Sequence, residues 1–258
     1  MSPQITAGVG SPPHARAAGA ENVAERWSCA VAVLAKQPLP GRVKTRLTPP
    51  YSPEQAAQLA GAALADTLDA VAGAGTGTSW LVLDGDAGGW QRPGFQIVPQ
   101  RGQGLDERLG HALVDVADAS GLSVLLVGMD TPQLRSERIV AAVAALRRSD
   151  AVLGPATDGG FWAIGLNDPR PEHCLGVQMS RPDTGRRQLE RLQRFGLDVC
   201  LLEQMTDVDD MASAQQVATA APATRFARLL AAMSEAAHVT PNARHGDNVN
   251  GVFCGAPA

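Results

Sequence analysis

The chain has 258 residues, a length that suits one large α/β domain or two small ones. Its formal net charge of -4 argues against a nucleic-acid-binding protein with a basic face, and its four cysteines form no C-x-x-C or Cys/His pair of the kind that holds zinc. Reduced cysteines, with no membrane-length apolar run and no signal-peptide core, lead us to expect a cytoplasmic protein.

Composition divides the chain into three parts. Residues 1–26 are rich in Ala, Gly, Pro and Ser without periodicity, and residues 238–258 are rich in Asn, Gly and Pro. We expect both to be disordered tails, because such segments bury too little apolar surface to fold. Strand-like and helix-like segments alternate between them, which predicts a single domain over residues 27–237.

A basic loop follows the first predicted strand, Ser28–Ala35, which is apolar throughout and therefore expected to be buried on both faces of the sheet. Pro and Gly residues exclude a helix from this loop. Its four cations could be ordinary surface charges, but the loop lies at the ligand edge of an open sheet, where polyphosphate is their natural partner. They are Lys36, Arg42, Lys44 and Arg46. Neither P-loop spacing nor a dinucleotide-binding G-x-G-x-x-G fingerprint is present.

The next elements are a helix and two strands. Ser52 and Gln55 have capping-box spacing and predict a helix that runs to about Ala72. Strands are predicted over Trp80–Asp84 and Phe95–Val98.

A glycine-punctuated segment, R-G-Q-G, then leads into a helix predicted through Ala119. Helix N-termini attract anions, so Arg101, Gly102 and Gly104 are candidates for contact with a phosphate or a base. The two glycines could equally serve only to shape the turn.

The central strand is predicted in the run S-V-L-L-V-G at 123–128. Asp130 lies just past its carboxyl end, where open α/β sheets bind ligands. An aspartate there can also be a simple loop cap.

The second half of the chain continues the alternation. The predicted elements are a helix over Ser136–Arg148, strands over Asp150–Gly154 and Phe161–Leu166, a basic helix over Thr184–Phe195, a strand over Leu197–Leu202 and a helix over Arg225–Ala237.

Two acidic segments in this half are candidates for the site. Asp158 with Gly159 and Gly160 reads as a hairpin-type turn, although the glycines would also let a ligand approach the backbone. The late T-D-V-D-D, at 206–210, opens a further helix, where acidic residues are commonly caps.

Together these segments predict a metal and polyphosphate site. Two separated carboxylates sharing a hard cation suit Mg²⁺ or Mn²⁺, which prefers a few protein oxygens plus substrate phosphates. The basic loop would take the remaining phosphate charge, and such a site stabilises a diphosphate leaving group electrostatically.

The ordered motifs K-Q-P-L-P-G-R-V-K-T-R-L, G-M-D-T-P-Q-L, G-P-A-T-D-G-G-F-W-A-I-G-L and T-D-V-D-D resemble those of the DUF2064 family. That family is placed in the nucleotide-diphospho-sugar transferase (GT-A) superfamily. The motif order is also similar to that of the 2-phospho-L-lactate guanylyltransferases and, more distantly, of the molybdenum-cofactor guanylyltransferases. The resemblance covers roughly Cys29 to Val217.

The resemblance implies an α/β fold, a three-layer α/β/α sandwich with a mixed, mostly parallel sheet. It implies catalytic roles for Lys36, Lys44, Arg46 and Asp130, with Mg²⁺ or Mn²⁺ on Asp130 and on Asp209 or Asp207. The nucleotide would contact Ala35, Lys36, Gly41, Lys44, Arg46, Arg101, Gly102 and Gly104. The transferred or acceptor group would face Asp158, Gly159, Gly160, Phe161 and Ser180. The family's usual D-T-P-E-D is D-D-M-A-S here, so both late aspartates stay candidates.

Three functions remain open. The first is nucleotidyl transfer from a nucleoside triphosphate to a small phosphorylated or acidic acceptor, which the dense cation cluster favours. The second is glycosyl transfer from a nucleotide-diphospho-sugar, favoured by the family label and by aromatics in D-G-G-F-W that could stack on a sugar. The third is a nucleotide-binding protein without catalysis. Each implies a nucleotide and a small-molecule partner, without nucleic acid or membrane, and a monomer or a homodimer.

Overall fold

The computed structural model describes residues 28–239, and side chains up to residue 236. The predicted tails lie outside this range, except that the last helix includes residues 238 and 239. The strands are β1 (Cys29–Lys36), β2 (Gly77–Asp84), β3 (Phe95–Pro99), β4 (Val124–Gly128), β5 (Ala151–Pro155), β6 (Phe161–Leu166) and β7 (Val199–Leu201). The helices are α1 (Pro53–Ala74), α2 (Leu105–Ser120), α3 (Ser136–Leu146), α4 (Thr184–Arg194), α5 (Met211–Ala220) and α6 (Arg225–Val239).

The seven strands form one mixed sheet in the order β3-β2-β1-β4-β6-β5-β7. Only β6 runs against its neighbours, since β4 and β5 both pair with it antiparallel while the other pairs are parallel. β1 and β4 are therefore central, and their carboxyl ends open on the same edge. The predicted α/β fold with a mixed, mostly parallel sheet is confirmed.

Helices cover both faces of the sheet, as the alternation of β1 side chains requires. Val31 and Val33 face a core shared with α1 and α3, whereas Ala30 and Ala32 face a core that includes α2. This arrangement gives the predicted three layers. Among residues 28–239 no helix is long and apolar enough to cross a membrane.

A third apolar cluster joins the late part of the chain to the early part. Leu47, from the basic loop, packs there with residues of α1, α5 and α6, and Val208 lies fully buried among them. The late acidic segment is thus fixed against the loop that follows β1.

Local signals account for the start of α1. Ser52 and Gln55 form the expected capping box, because the Ser52 hydroxyl accepts from the Gln55 N–H at 3.2 Å and the Gln55 amide oxygen accepts from the Ser52 N–H at 2.8 Å. The basic loop is not wholly irregular, since Thr45–Leu47 forms one turn of 3-10 helix.

Candidate active site

The basic loop holds Lys44 between two apolar anchors. Val43 and Leu47 are buried, at 8% and 0% exposure, and tie the loop to the cores on either side of Lys44. Lys44 itself has φ +49°, a left-handed conformation that is uncommon outside glycine. Only 8% of its side chain is exposed. The ammonium group is therefore directed into the protein rather than into solvent.

The Lys44 ammonium group contacts Asp130 and the late acidic segment. Lys44 Nζ lies 2.6 Å from Asp130 Oδ1 and also donates to the carbonyl oxygen of Val208. The Val208 N–H in turn donates to the backbone carbonyl of Asp130 at 2.8 Å. One buried peptide segment thus links the ends of the basic loop and of β4, although these residues are remote in sequence.

Asp207 faces the same centre. The pKa of Asp207 is raised to about 6, mainly by burial and also by the negative charges of Asp158 and Asp130, while Lys44 acts to lower it. Asp207 is therefore close enough to Asp158 and to Asp130 for their carboxylates to repel its own, and the Lys44 ammonium group offsets part of that repulsion. Such mutual repulsion favours the arrival of another cation.

Asp209 takes a different partner. Its carboxylate pairs with Arg46, with side chains 45% and 70% exposed, at the rim of the site. Asp210 caps α5 by accepting from the Ser213 N–H at 2.8 Å, and this bond lowers the pKa of the Asp210 carboxyl group. Of the two late candidates for the metal, Asp207 interacts electrostatically with Asp130, whereas Asp209 is paired with Arg46.

The other loop cations lie on the exposed rim. Lys36 is the exposed last residue of β1, and its N–H donates to the sulfur of Met129 at 3.3 Å. Within residues 28–239 neither Lys36 nor Arg42 forms an ion pair. The exposed turn at Gly41 lies between Lys36 and Arg42 in the chain. Ala35, by contrast, is buried, and its carbonyl oxygen accepts from Gln100 Nε2 at 2.7 Å.

The segment between β3 and α2 is fixed by contacts that the sequence did not reveal. Arg101 is held by Asp115 of α2 through bonds of 2.8 and 2.6 Å, so its guanidinium group is already engaged. Gly102 has φ +121°, and a Cβ there would lie 2.8 Å from that of Glu107. Gly104 precedes α2 at its N-cap without a side-chain cap. These contacts are consistent with a turn-shaping role, and contact of Arg101, Gly102 or Gly104 with a nucleotide stays a prediction.

Gln100 and Arg108 attach this segment to the sheet, and sequence reasoning missed both. Gln100 Nε2 also donates to the carbonyl oxygen of Val82, at 3.1 Å. Arg108 donates to Asp84 at 2.6 Å and to the carbonyl oxygen of Gly102 at 3.2 Å. No local pattern predicts these contacts, because each joins separate elements.

The D-G-G turn packs closely against the approach to α4. A Cβ on Gly159, which has φ +89°, would lie 1.9 Å from the carbonyl oxygen of Pro182. The Gly185 N–H donates to the Gly159 carbonyl oxygen at 2.8 Å. Asp158 closes the turn by accepting from the Gly160 N–H at 2.8 Å. The turn is thereby held beside Asp207 with its aspartate exposed.

The remaining candidates for acceptor contact are unequal. Phe161 is half-buried against the core that includes α2. Trp162 is 4% exposed, and its Nε1 donates to the carbonyl oxygen of Glu203 at 3.0 Å, so it belongs to the core. Ser180 is exposed, with φ +57°, in the loop before α4.

The chemistry of the donors fits a hard divalent cation. The side chains of Asp130, Asp207 and Asp158 offer only carboxylate oxygens, and Asp130 and Asp158 raise the pKa of Asp207 more than Lys44 lowers it. Within residues 28–239 no three acidic, histidine or cysteine side chains form a ready-made metal cage. Mg²⁺ does not need one, because it usually combines one or two carboxylates with water and substrate phosphates.

We expect Asp207→Asn to stabilise the metal-free protein above pH 6. The pKa of Asp207 rises from 3.8 to about 6 on folding, so the folded state favours the protonated carboxyl group. The contribution of this group to stability is therefore complete below pH 4 and is lost as the pH rises through 6. Allowing for partial solvent screening, the gain at pH 7.5 is about 1–2 kcal/mol. Urea denaturation at pH 4 and pH 7.5, with chelator present, measures it.

Asp209→Asn is the matched control, since it removes a charge two residues away that is paired with Arg46. We expect no stabilisation from it. A loss of stability in Asp207→Asn at pH 7.5 would show that this carboxylate is not repelled by its neighbours.

Comparison with known proteins agrees with the motifs. The model of DUF2064, described as an uncharacterised protein conserved in bacteria, matches residues 55–181. A proposed nucleotide-diphospho-sugar transferase from Desulfovibrio desulfuricans G20 is 27% identical, with a TM-score of 0.74 over 80% of this chain and 95% of that one. No curated protein matches the sequence.

Two further solved structures share the fold. One is a CMP:2-keto-3-deoxy-manno-octonic acid synthetase complexed with CTP, 12% identical, with a TM-score of 0.52 over 76% of this chain and 98% of that one. The other is a 4-diphosphocytidyl-2C-methyl-D-erythritol synthase from Anaerococcus prevotii DSM 20548, 10% identical, with a TM-score of 0.51 over the same shares. The predicted resemblance to DUF2064, the GT-A-like fold and the transferase class are confirmed. The particular resemblance to guanylyltransferases stays a prediction.

Proposed function

We propose that this DUF2064-like transferase carries out metal-dependent nucleotidyl transfer from a nucleoside triphosphate to a small phosphorylated or acidic acceptor, releasing pyrophosphate. The observation that supports this most is the enclosed Lys44 ammonium group in contact with Asp130, together with the influence of Lys44, Asp130 and Asp158 on the pKa of Asp207. Opposite charges from remote segments meet there at the ligand edge of the sheet, as a site for a metal and a polyphosphate requires.

The basic loop would bind the triphosphate. Lys36 and Arg42 have no ion pair among residues 28–239, and Arg46 is exposed at the rim, so all three can reach a ligand. Lys44 adds a fourth cation from inside. A nucleoside triphosphate carries more negative charge than a nucleotide sugar, so a loop with four cations suits the triphosphate better.

Asp130 and Asp207 would hold Mg²⁺ or Mn²⁺, with Asp158 nearby and Asp209 at the rim. When bound, such an ion neutralises charge that develops on the departing pyrophosphate. The protein's own part is to keep the carboxylates together, which the Val208 peptide does by bonding Asp130 on one side and Lys44 on the other.

The acceptor would lie by the D-G-G turn, near Phe161 and Ser180. One of its ionised oxygens would form a bond to the α-phosphorus, and the bond from that phosphorus to the bridging oxygen of pyrophosphate would break. A phosphate or carboxylate is already ionised at neutral pH, so no side chain has to remove a proton from it. The D-G-G turn contains no histidine, and this reaction does not need one as a general base.

Glycosyl transfer from a nucleotide-diphospho-sugar is the second candidate. The description of the Desulfovibrio protein favours it. The argument from aromatics is weaker than the sequence suggested, because Trp162 is buried in the core and cannot stack on a sugar. A nucleotide-binding protein without catalysis is the third candidate.

One assay separates the three. The purified protein is incubated with Mg²⁺ and each nucleoside triphosphate, then with each nucleotide sugar, together with a pool of small metabolites. We expect pyrophosphate release from a triphosphate only when the pool is present. Free nucleoside diphosphate would instead support glycosyl transfer, and nucleotide binding without turnover would support the third function.

A further inference from the structure

We propose that the Lys44 ammonium group substitutes for the metal ion in the metal-free protein and leaves Asp130 when nucleotide arrives, so that metal is taken up together with the nucleotide and not before it. The proposal rests on the function proposed above and adds an order of binding to it. It concerns this chain's own lysine and the carboxylate that it occupies.

The first support is the position of the ammonium group. Lys44 Nζ lies 2.6 Å from Asp130 Oδ1, on a side chain that is 8% exposed. Its other bond goes to the carbonyl oxygen of Val208, a residue that is fully buried. A carboxylate oxygen and a backbone carbonyl oxygen are also ligands that a hard cation accepts. The ammonium group thus occupies two oxygen atoms that would otherwise be available as ligands for the metal.

The second support is charge. An ammonium group in contact with Asp130 repels a divalent cation approaching the same carboxylate and lowers the site's affinity for it. A nucleoside triphosphate changes this balance, because its oxygens give Lys44 another anionic partner and give the metal further ligands. Without nucleotide, the metal must displace the ammonium group from Asp130 although no other anion is present to bind that group. With nucleotide, the phosphate oxygens bind the displaced ammonium group.

The third support is that only the side chain has to move. Val43 and Leu47 hold the loop on both sides of Lys44 in two different cores. Arg46 is engaged with Asp209 and does not compete for Asp130. The four methylenes of Lys44 let its ammonium group turn from Asp130 toward a ligand while the backbone stays in place.

The test uses Mn²⁺ alone on the metal-stripped full chain, without nucleotide. Free Mn²⁺ is measured by electron paramagnetic resonance for the natural protein, Lys44→Met and Lys44→Gln. We expect both variants to bind Mn²⁺ at least about tenfold more tightly, because removing a contacting like charge changes affinity by that order or more. Mn²⁺ should also raise the unfolding temperature of the variants more than that of the natural protein.

Arg42→Met is the matched control, since it removes an exposed cation of the same loop that has no ion pair among residues 28–239. Its Mn²⁺ affinity should stay within about twofold of the natural value, as expected for a screened charge. Combining Lys44→Met with Asp130→Asn should abolish the gain. Equal Mn²⁺ binding by the natural protein and both Lys44 variants, lost on Asp130→Asn, would overturn the exchange but keep the metal site. If Asp130→Asn leaves Mn²⁺ binding unchanged both in the natural protein and in the Lys44 variants, then both the exchange and the metal site proposed for the function are overturned.

Discussion

Asp130→Asn is expected to lower kcat/KM for pyrophosphate release by about a thousandfold or more, the scale of losing a principal electrostatic contact to the developing charge. The substitution keeps the shape of the side chain and removes its charge, so both the metal and Lys44 lose their partner. The fold should persist, because the Asp130 carbonyl oxygen still accepts from the Val208 N–H and the side chain is 42% exposed. Steady-state kinetics and urea denaturation of the same preparation test both statements.

Asp86→Asn is the matched control for Asp130→Asn. Asp86 is an exposed carboxylate just past the carboxyl end of β2, and its side chain closes a turn by accepting from the Gly88 N–H at 3.0 Å. An asparagine can make the same bond, so we expect activity close to that of the natural protein. Full activity in Asp130→Asn, or an equal loss in both variants, would show that Asp130 has no special role in the reaction.

Gly159→Ala is expected to have the largest effect on stability, with a loss of about 3 kcal/mol or more. The new methyl group would lie 1.9 Å from the Pro182 carbonyl oxygen, at φ +89°, so the turn must move away from the approach to α4. Activity should fall with it, because Asp158 precedes this glycine and lies near Asp207. Urea denaturation and the pyrophosphate assay measure the two effects.

Gly196→Ala separates backbone strain from the close contact. Gly196 has φ +78°, close to that of Gly159, but a Cβ there would meet nothing within 4 Å. Its cost should therefore be only the left-handed penalty, about 1 kcal/mol. If the two alanine variants lose equal stability, the contact between the D-G-G turn and Pro182 is not what fixes the turn.

The sequence predicted the frame of this site because the relevant signals are local. The apolar run before Asp130 required a buried strand, and the position of the aspartate just after it followed from the strand's end. The basic loop was placed by the same reasoning. The start of α1 was equally readable, since its capping box depends on Ser52 and Gln55, which are three residues apart.

The pairing of charges across the site was not predictable in this way. Asp207 and Asp209 flank Val208, and composition gives no reason to expect that Lys44 donates to the Val208 carbonyl oxygen while Arg46 pairs with Asp209. Each choice depends on contacts between residues more than 160 positions apart. The sequence also could not show that Asp115 already binds Arg101, or that Trp162 turns into the core, because these contacts join separate elements.

The buried position of Val208 has a consequence for how the protein is made. Lys44 emerges from the ribosome early, whereas the peptide that receives its ammonium group follows 164 residues later. Val208 is buried in the apolar cluster that also contains Phe226 and Leu230 of the last helix. Contacts that span so much chain form late in folding. A nascent or prematurely terminated chain would therefore contain the whole basic loop and still lack the contact between Lys44 and Val208, so the proposed activity should begin only when synthesis is nearly complete.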